Sequence, residues 1–172
     1  MKKDLSALRT LVETLGGSAL REYWTAPGLA TGLPRGAITQ ICGAGKTEFV
    51  ARFLKAHREL KVAWIETPFS IYPSGLFQRE VELDRILFID PGEEFPWALQ
   101  QVMKSGLFEV VILASPAQDL KMLRQFQLSA EKAHAALVLL SESLSGGWPV
   151  ALQLQSSRNQ GGRIQVDVIR KR

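Results

Sequence analysis

Strand-length runs that are apolar along their whole length recur through this chain, separated by helix-length amphipathic stretches. The runs fall at residues 38–42, 62–66, 86–90, 110–115 and 137–141. A strand with one wet face alternates apolar and polar side chains, so a run without alternation has to be covered on both faces. Helical patterns at 47–60, around 75–81, at 95–105 and at 117–134 supply that cover. Strands and helices taken in turn require crossover connections, and these produce a mostly parallel sheet with helices on both sides. The end of the chain breaks the rule. "VALQLQSS" and "RIQVDVIRKR" alternate in period two around "RNQGG", which predicts an antiparallel hairpin at the sheet's edge. The expected fold class is therefore α/β, with a carboxy-terminal hairpin.

The front of the chain is different. Leu5, Leu8, Val12 and Leu15 form one stripe of a short helix that Gly16-Gly17 ends. Residues 18–36, rich in glycine and holding Pro27 and Pro34, read as irregular. This divides the chain into an amino-terminal helix and linker, 1–28, and a core domain, 29–172. The stripe either packs on its own domain or docks on another subunit, and its narrowness favours docking.

Length and composition narrow the function. A chain of 172 residues buries one core and is too short for two ordinary domains. With 46% apolar and 22% charged residues, it has the make-up of a soluble globular protein. No apolar run reaches membrane-spanning length, and "MKKDLSALRT" has no signal core behind its lysines. A cytoplasmic location is expected. The single cysteine, Cys42, excludes an internal disulfide and a multi-cysteine zinc site. His57 and His134 stand far apart with no serine or cysteine motif beside them, so neither a metal centre nor a nucleophilic triad is expected. Glu93 and Glu94 suit a helix start better than acid–base chemistry.

The stretch "ITQICGAGKTEFVARFL" carries the most chemistry. An apolar strand leads into Gly-Lys-Thr and an amphipathic helix follows, which is the setting of a phosphate loop. A working loop has four residues between its glycines, so that successive N–H groups curl round a phosphate while Lys and Ser/Thr serve the outer phosphates and Mg²⁺. Here Ala44 alone separates Gly43 from Gly45. Gly43, Gly45, Lys46 and Thr47 are thus expected to hold at most a small anion at a helix N-terminus. The strand that should end in a Mg²⁺-binding aspartate ends in Ala114, and the only nearby base, Glu66, is followed two residues later by Pro68. No catalytic residue and no cofactor is expected.

Two further groups of residues are candidates for contact. Between Ser156 and Arg172, five basic residues (Arg158, Arg163, Arg170, Lys171 and Arg172) face the single acid Asp167, so this tail carries the whole net charge of +4. The turn at Gly161-Gly162 breaks register, so one face of the hairpin could collect most of them as a site for nucleic-acid phosphate or an acidic partner. Among the tryptophans, Trp64 and Trp97 are expected in the core. Trp148, in "SGGWPV", is expected as an exposed contact, a platform on which a base could stack.

From residue 29 onward the order of these pieces resembles the RecA recombinase core. "GLPRGAITQICGAGKT" looks like that family's glycine-rich approach and phosphate loop, shortened, and "KSGLFEVVILAS" like its metal-binding strand. On that correspondence Pro68 stands at the catalytic glutamate and Ala114 at the metal-binding aspartate. A closer resemblance is to the ImuA group, RecA-like accessory proteins of damage-induced mutagenesis grouped with SulA-type division inhibitors. It is carried by "GLPRGAITQI", "YPSGLFQREVELDRILFI", "PWALQQVMKSGLFEVVI" and "LRQFQLSAEKAHAALVLL", in that order. The resemblance implies a non-catalytic adaptor of the SOS response that binds RecA, or a Y-family-polymerase-like partner, and contacts single-stranded DNA if the basic tail does. Two other readings stay open: a SulA-type division inhibitor, and an ATP-dependent DNA-binding protein with an unusual loop.

Overall fold

The computed structural model describes residues 21–114, 119–144 and 148–172. The stripe of Leu5, Leu8, Val12 and Leu15 lies outside them. In chain order the elements are β1 (Tyr23–Ala26), β2 (Leu29–Pro34), β3 (Ala37–Gly43), α1 (Lys46–Ala56), β4 (Val62–Glu66), α2 (Pro73–Phe77) and β5 (Ile86–Ile89). After a single 3₁₀ turn (Gly92–Glu94) come α3 (Phe95–Ser105), β6 (Val110–Ala114), α4 (Leu120–Ala133), β7 (Ala136–Leu140), β8 (Leu152–Arg158) and β9 (Ile164–Lys171). One sheet of seven strands runs in the order β5-β4-β6-β7-β3-β8-β9. Every pairing in it is parallel except β8 with β9. The expected α/β sheet and its carboxy-terminal hairpin are both present.

The uninterrupted apolar strands have the cover they require. Along β4, Val62 and Trp64 face a core shared with Phe49, Phe53 and Leu54 of α1 and Leu33 of β2. Ala63 and Ile65 face the opposite core, with Leu99 and Met103 of α3 and Leu123 and Phe126 of α4. Local chemistry sets the helix ends. Asp119 caps α4 by accepting a hydrogen bond from the Met122 N–H at 2.7 Å. α3 has a proline in its first turn and stops at Gly106, in the left-handed region. Among the described residues, no helix is long and apolar enough to cross a membrane.

Three expectations require correction. Residues 23–34 are not irregular: β1 and β2 form an antiparallel hairpin that turns at Pro27-Gly28. Its turn and glycines disguise two short strands whose Ala26, Leu29 and Leu33 join the core. The boundary drawn at residue 28 falls within that turn. Trp97 is 61% exposed, because the buried face of α3 is Ala98, Leu99, Val102 and Met103, and position 97 lies off that stripe. Trp64, by contrast, is fully buried.

The third correction concerns the basic tail. A bulge interrupts the β8–β9 register, which runs Leu154↔Val168 and then Gln153↔Arg170, leaving Ile169 unopposed. Residues directly opposite share a face, so Arg158 and Lys171 lie on the side of Leu152 and Leu154, and Arg170 lies on the other. No one face collects the cations.

Core and edge should respond differently to truncation. Ile112→Ala in the fully buried middle of β6 should cost about 2–5 kcal/mol. Ile169→Ala at the exposed bulge should stay within about 0.5 kcal/mol of the parent. Urea unfolding midpoints of the two variants would check both.

Candidate functional site

The carboxyl ends of β3, β4, β6 and β7 open onto a cleft of about 840 Å³. Register places Glu66 beside Ala114, and Ala114 beside Leu140, which in turn pairs with Ile41. Because β3 and β4 are separated by β7 and β6, the chain passes over the sheet here, which is where open α/β sheets form their clefts. The motif residues Gly43, Gly45, Lys46 and Thr47 all line it.

The loop itself is closed from outside. Gly43 and Gly45 adopt φ of 95° and 87°, a region that favours glycine. A Cβ on Gly43 would stand 2.1 Å from the Ser156 carbonyl oxygen, and one on Gly45 would stand 2.3 Å from Ile164 Cδ1. The β8–β9 hairpin therefore lies directly against the short turn. The Ser156 hydroxyl donates to the Cys42 carbonyl at 3.0 Å and joins β8 to β3 at this point. Cys42 is buried, its thiol donates to Gln155 Oε1, and burial pushes it above its ordinary value, more than Lys46 lowers it. It is a poor nucleophile.

Two of the groups that would serve a nucleotide, Lys46 and Glu66, are engaged within the chain. Lys46 Nζ donates to the Ser141 carbonyl at 3.0 Å and to Glu142 Oε1 at 2.5 Å. That contact holds the Glu142 carboxyl below its ordinary range. Glu66, buried at the end of β4, accepts from the Ser70 hydroxyl at 2.5 Å and from the Ile71 N–H at 2.9 Å. It organises the segment behind Pro68 from the wall of the cleft. Ala114 offers no metal ligand.

A cluster that motif reading did not find dominates the cleft's electrostatics. Glu48, in the first turn of α1, contacts three guanidinium groups: Arg52 at 2.9 Å, Arg79 at 3.3 Å and Arg158 at 3.5 Å. These cations come from α1, from the segment after α2 and from the end of β8. Only the Glu48–Arg52 pair, four residues apart on one helix, was readable from spacing. Burial raises the Glu48 carboxyl, yet the hydrogen bonds and charges of Arg52 and Arg79 outweigh it and hold the group below its ordinary value.

The other expected contacts are dispersed. Arg158 belongs to the cleft, and Lys171 sits 5.2 Å from the Tyr23 ring. Arg170 lies on the far face, and Arg163 is exposed beyond the turn. Arg172 joins Trp148 at a separate, smaller pocket. Trp148 is exposed as expected, with the Arg124 guanidinium 5.3 Å from its ring centroid. No protein-family description and no curated protein sequence matches this chain.

The two glycines should differ in tolerance. Gly43→Ala meets a backbone oxygen that cannot retreat without parting β3 from β8, and should cost about 2–4 kcal/mol. Gly45→Ala meets the flexible end of Ile164, so a smaller cost of about 1–2 kcal/mol is expected; urea titration would rank them.

Acid titration checks the Glu48 cluster. A carboxyl held low in the folded state stabilises above its ordinary value and loses that contribution as pH falls through the folded one. Glu48→Gln should therefore be less stable near neutrality. It should also lose stability less steeply than the parent between about pH 5 and pH 3, read from unfolding midpoints at each pH.

Proposed function

We propose that this protein is a non-catalytic RecA-like adaptor of the bacterial DNA-damage response, resident in the cytoplasm, that binds RecA or a Y-family-polymerase-like partner. The observation that carries the reading is the closed loop at Gly43–Gly45. Its outer side is filled by Ile164 and the Ser156 carbonyl, and its lysine is held by Ser141 and Glu142. A triphosphate needs successive free N–H groups and a metal-bearing carboxylate. This turn lacks the residues that would supply those N–H groups, the hairpin fills its outer side, and β6 ends in Ala114. An α/β core of this topology with its nucleotide site engaged internally has its outer surfaces left for function. The chain-order resemblance to the ImuA group supplies the pathway.

Two measurements test the proposal. Steady-state hydrolysis of ATP should be undetectable with or without single-stranded DNA, and Ala114→Asp should not restore it; turnover that vanishes in Lys46→Ala would overturn the non-catalytic reading. Affinity purification of the tagged protein from DNA-damaged cells should recover RecA or a Y-family-polymerase-like protein at near-stoichiometric yield. Recovery of a polymerising division protein instead would transfer the reading to a division inhibitor.

A further inference from the structure

A second pocket, of about 210 Å³, lies away from the cleft and is lined by Arg21, Arg124, Leu128, Trp148 and Arg172. Three of these side chains are guanidinium groups that form no ion pair among the described residues. Arg21 spends one N–H on the Arg172 carbonyl, at 3.3 Å, and Arg124 lies over the Trp148 ring. Glu131, the acid on the pocket wall, accepts instead from Gln127 Nε2 at 2.8 Å. The surface round the pocket is apolar. Leu120 and Leu128 stand four residues either side of Arg124 on α4, on the same helix face, and are 58% and 50% exposed. With Trp148, they put three large apolar side chains in water beside three uncompensated cations. An isolated exposed leucine needs no explanation; a cluster of this kind marks an interaction surface.

We infer that this face docks an acidic segment of a partner protein, one that presents a carboxylate next to a leucine, phenylalanine or tryptophan side chain. The inference rests on the adaptor reading and specifies the partner's chemistry. Charge complementarity selects the occupant: arginines without an acidic partner bind carboxylates in a planar fork, and aromatic and arginine side chains are the usual anchors of such interfaces. The apolar seats discriminate against nucleic acid. A single-strand groove combines cations with successive aromatic platforms, and phosphates gain nothing from Leu120 and Leu128. Charge also discriminates against the chain's own first twenty residues, whose Lys2, Lys3 and Arg9 outnumber Asp4 and Glu13.

The test is selection of a random twelve-residue peptide display library on the immobilised full chain. Selected peptides are then measured against Arg124→Glu and Leu128→Asp, two surface variants whose thermal melting is checked first. Enrichment of Asp or Glu beside Leu, Phe or Trp is expected, with affinity falling about tenfold or more in each variant. Enrichment of basic or uncharged sequences, no enrichment, or binding indifferent to both variants would overturn the inference. Two competitors complete the experiment. If a twenty-residue oligo-dT binds, displaces the peptides and is lost in Arg124→Glu, the face is a nucleic-acid site and the inference fails. If a synthetic peptide of residues 1–17 competes as strongly as the selected peptides, the face belongs to the chain's own amino-terminal segment, and it fails again. Because the selection uses no cellular partner, its failure is distinguishable from failure of the affinity purification that tests the adaptor reading.

Discussion

The pairing of β8 alongside β3 governs this molecule's chemistry. It runs in parallel register from Thr39↔Leu152 to Gly43↔Ser156, so the sheet continues past the motif-bearing strand and reaches the level of the loop itself. The antiparallel return through β9 then brings Ile164 onto Gly45. The short turn therefore has a strand directly against its outer side. The same pairing delivers Arg158 into the cleft, where it meets Glu48. Buried polar groups reinforce the join: Gln153 Nε2 donates to Gln40 Oε1 at 3.0 Å, and Gln40 Nε2 donates to Ser141 Oγ at 3.1 Å. One hydrogen-bonded chain therefore crosses β8, β3 and the end of β7, and a buried network satisfied in this way specifies a single register.

The charges of the cleft do different work. Most exposed ion pairs in this protein, such as Arg58 with Glu82, contribute little, because water screens them and two long side chains must be ordered. Glu48 is more enclosed, and three guanidiniums from separate elements share its carboxylate. It acts as a resident anion near the mouth of the cleft, tying α1, the segment after α2 and the hairpin together. Lys46 and Glu142 form a second internal pair, which ties the helix start to the residues that follow β7. An incoming phosphate would have to displace carboxylates already in contact with their cations.

How much of this was legible follows from how local each signal is. Fully buried strands such as Val62–Glu66 announce themselves, since burial on both faces removes polar residues from the run. The Gly-Lys-Thr loop was visible because its four residues are nearly contiguous. β1 and β2 were not, because four- and six-residue strands around a Pro-Gly turn, with further glycines, look like a loop until a helix packs on them. Trp97 was misplaced because a tryptophan at a helix start says nothing about which face the stripe takes. The bulge at Ile169 has no sequence signature, and that one residue moves Arg170 off the face that Arg158 occupies. The partners of Lys46 and Glu48, namely Glu142, Arg79 and Arg158, are brought to them by topology alone.

The short turn is also coupled to stability, and this sets what lengthening it would cost. Lengthening the loop to a full cradle would drive backbone into the space held by Ile164 and the Ser156 carbonyl, so β8 would have to move. Moving β8 breaks the buried contacts of Leu152 and Leu154, which lie in the same core as Trp64 and Phe53. A carboxylate at position 114 would be held beside Leu140 and Glu66, with no ordered phosphate to share a metal ion. No one of these changes gains anything without the others, and the loop change alone carries a core-sized penalty.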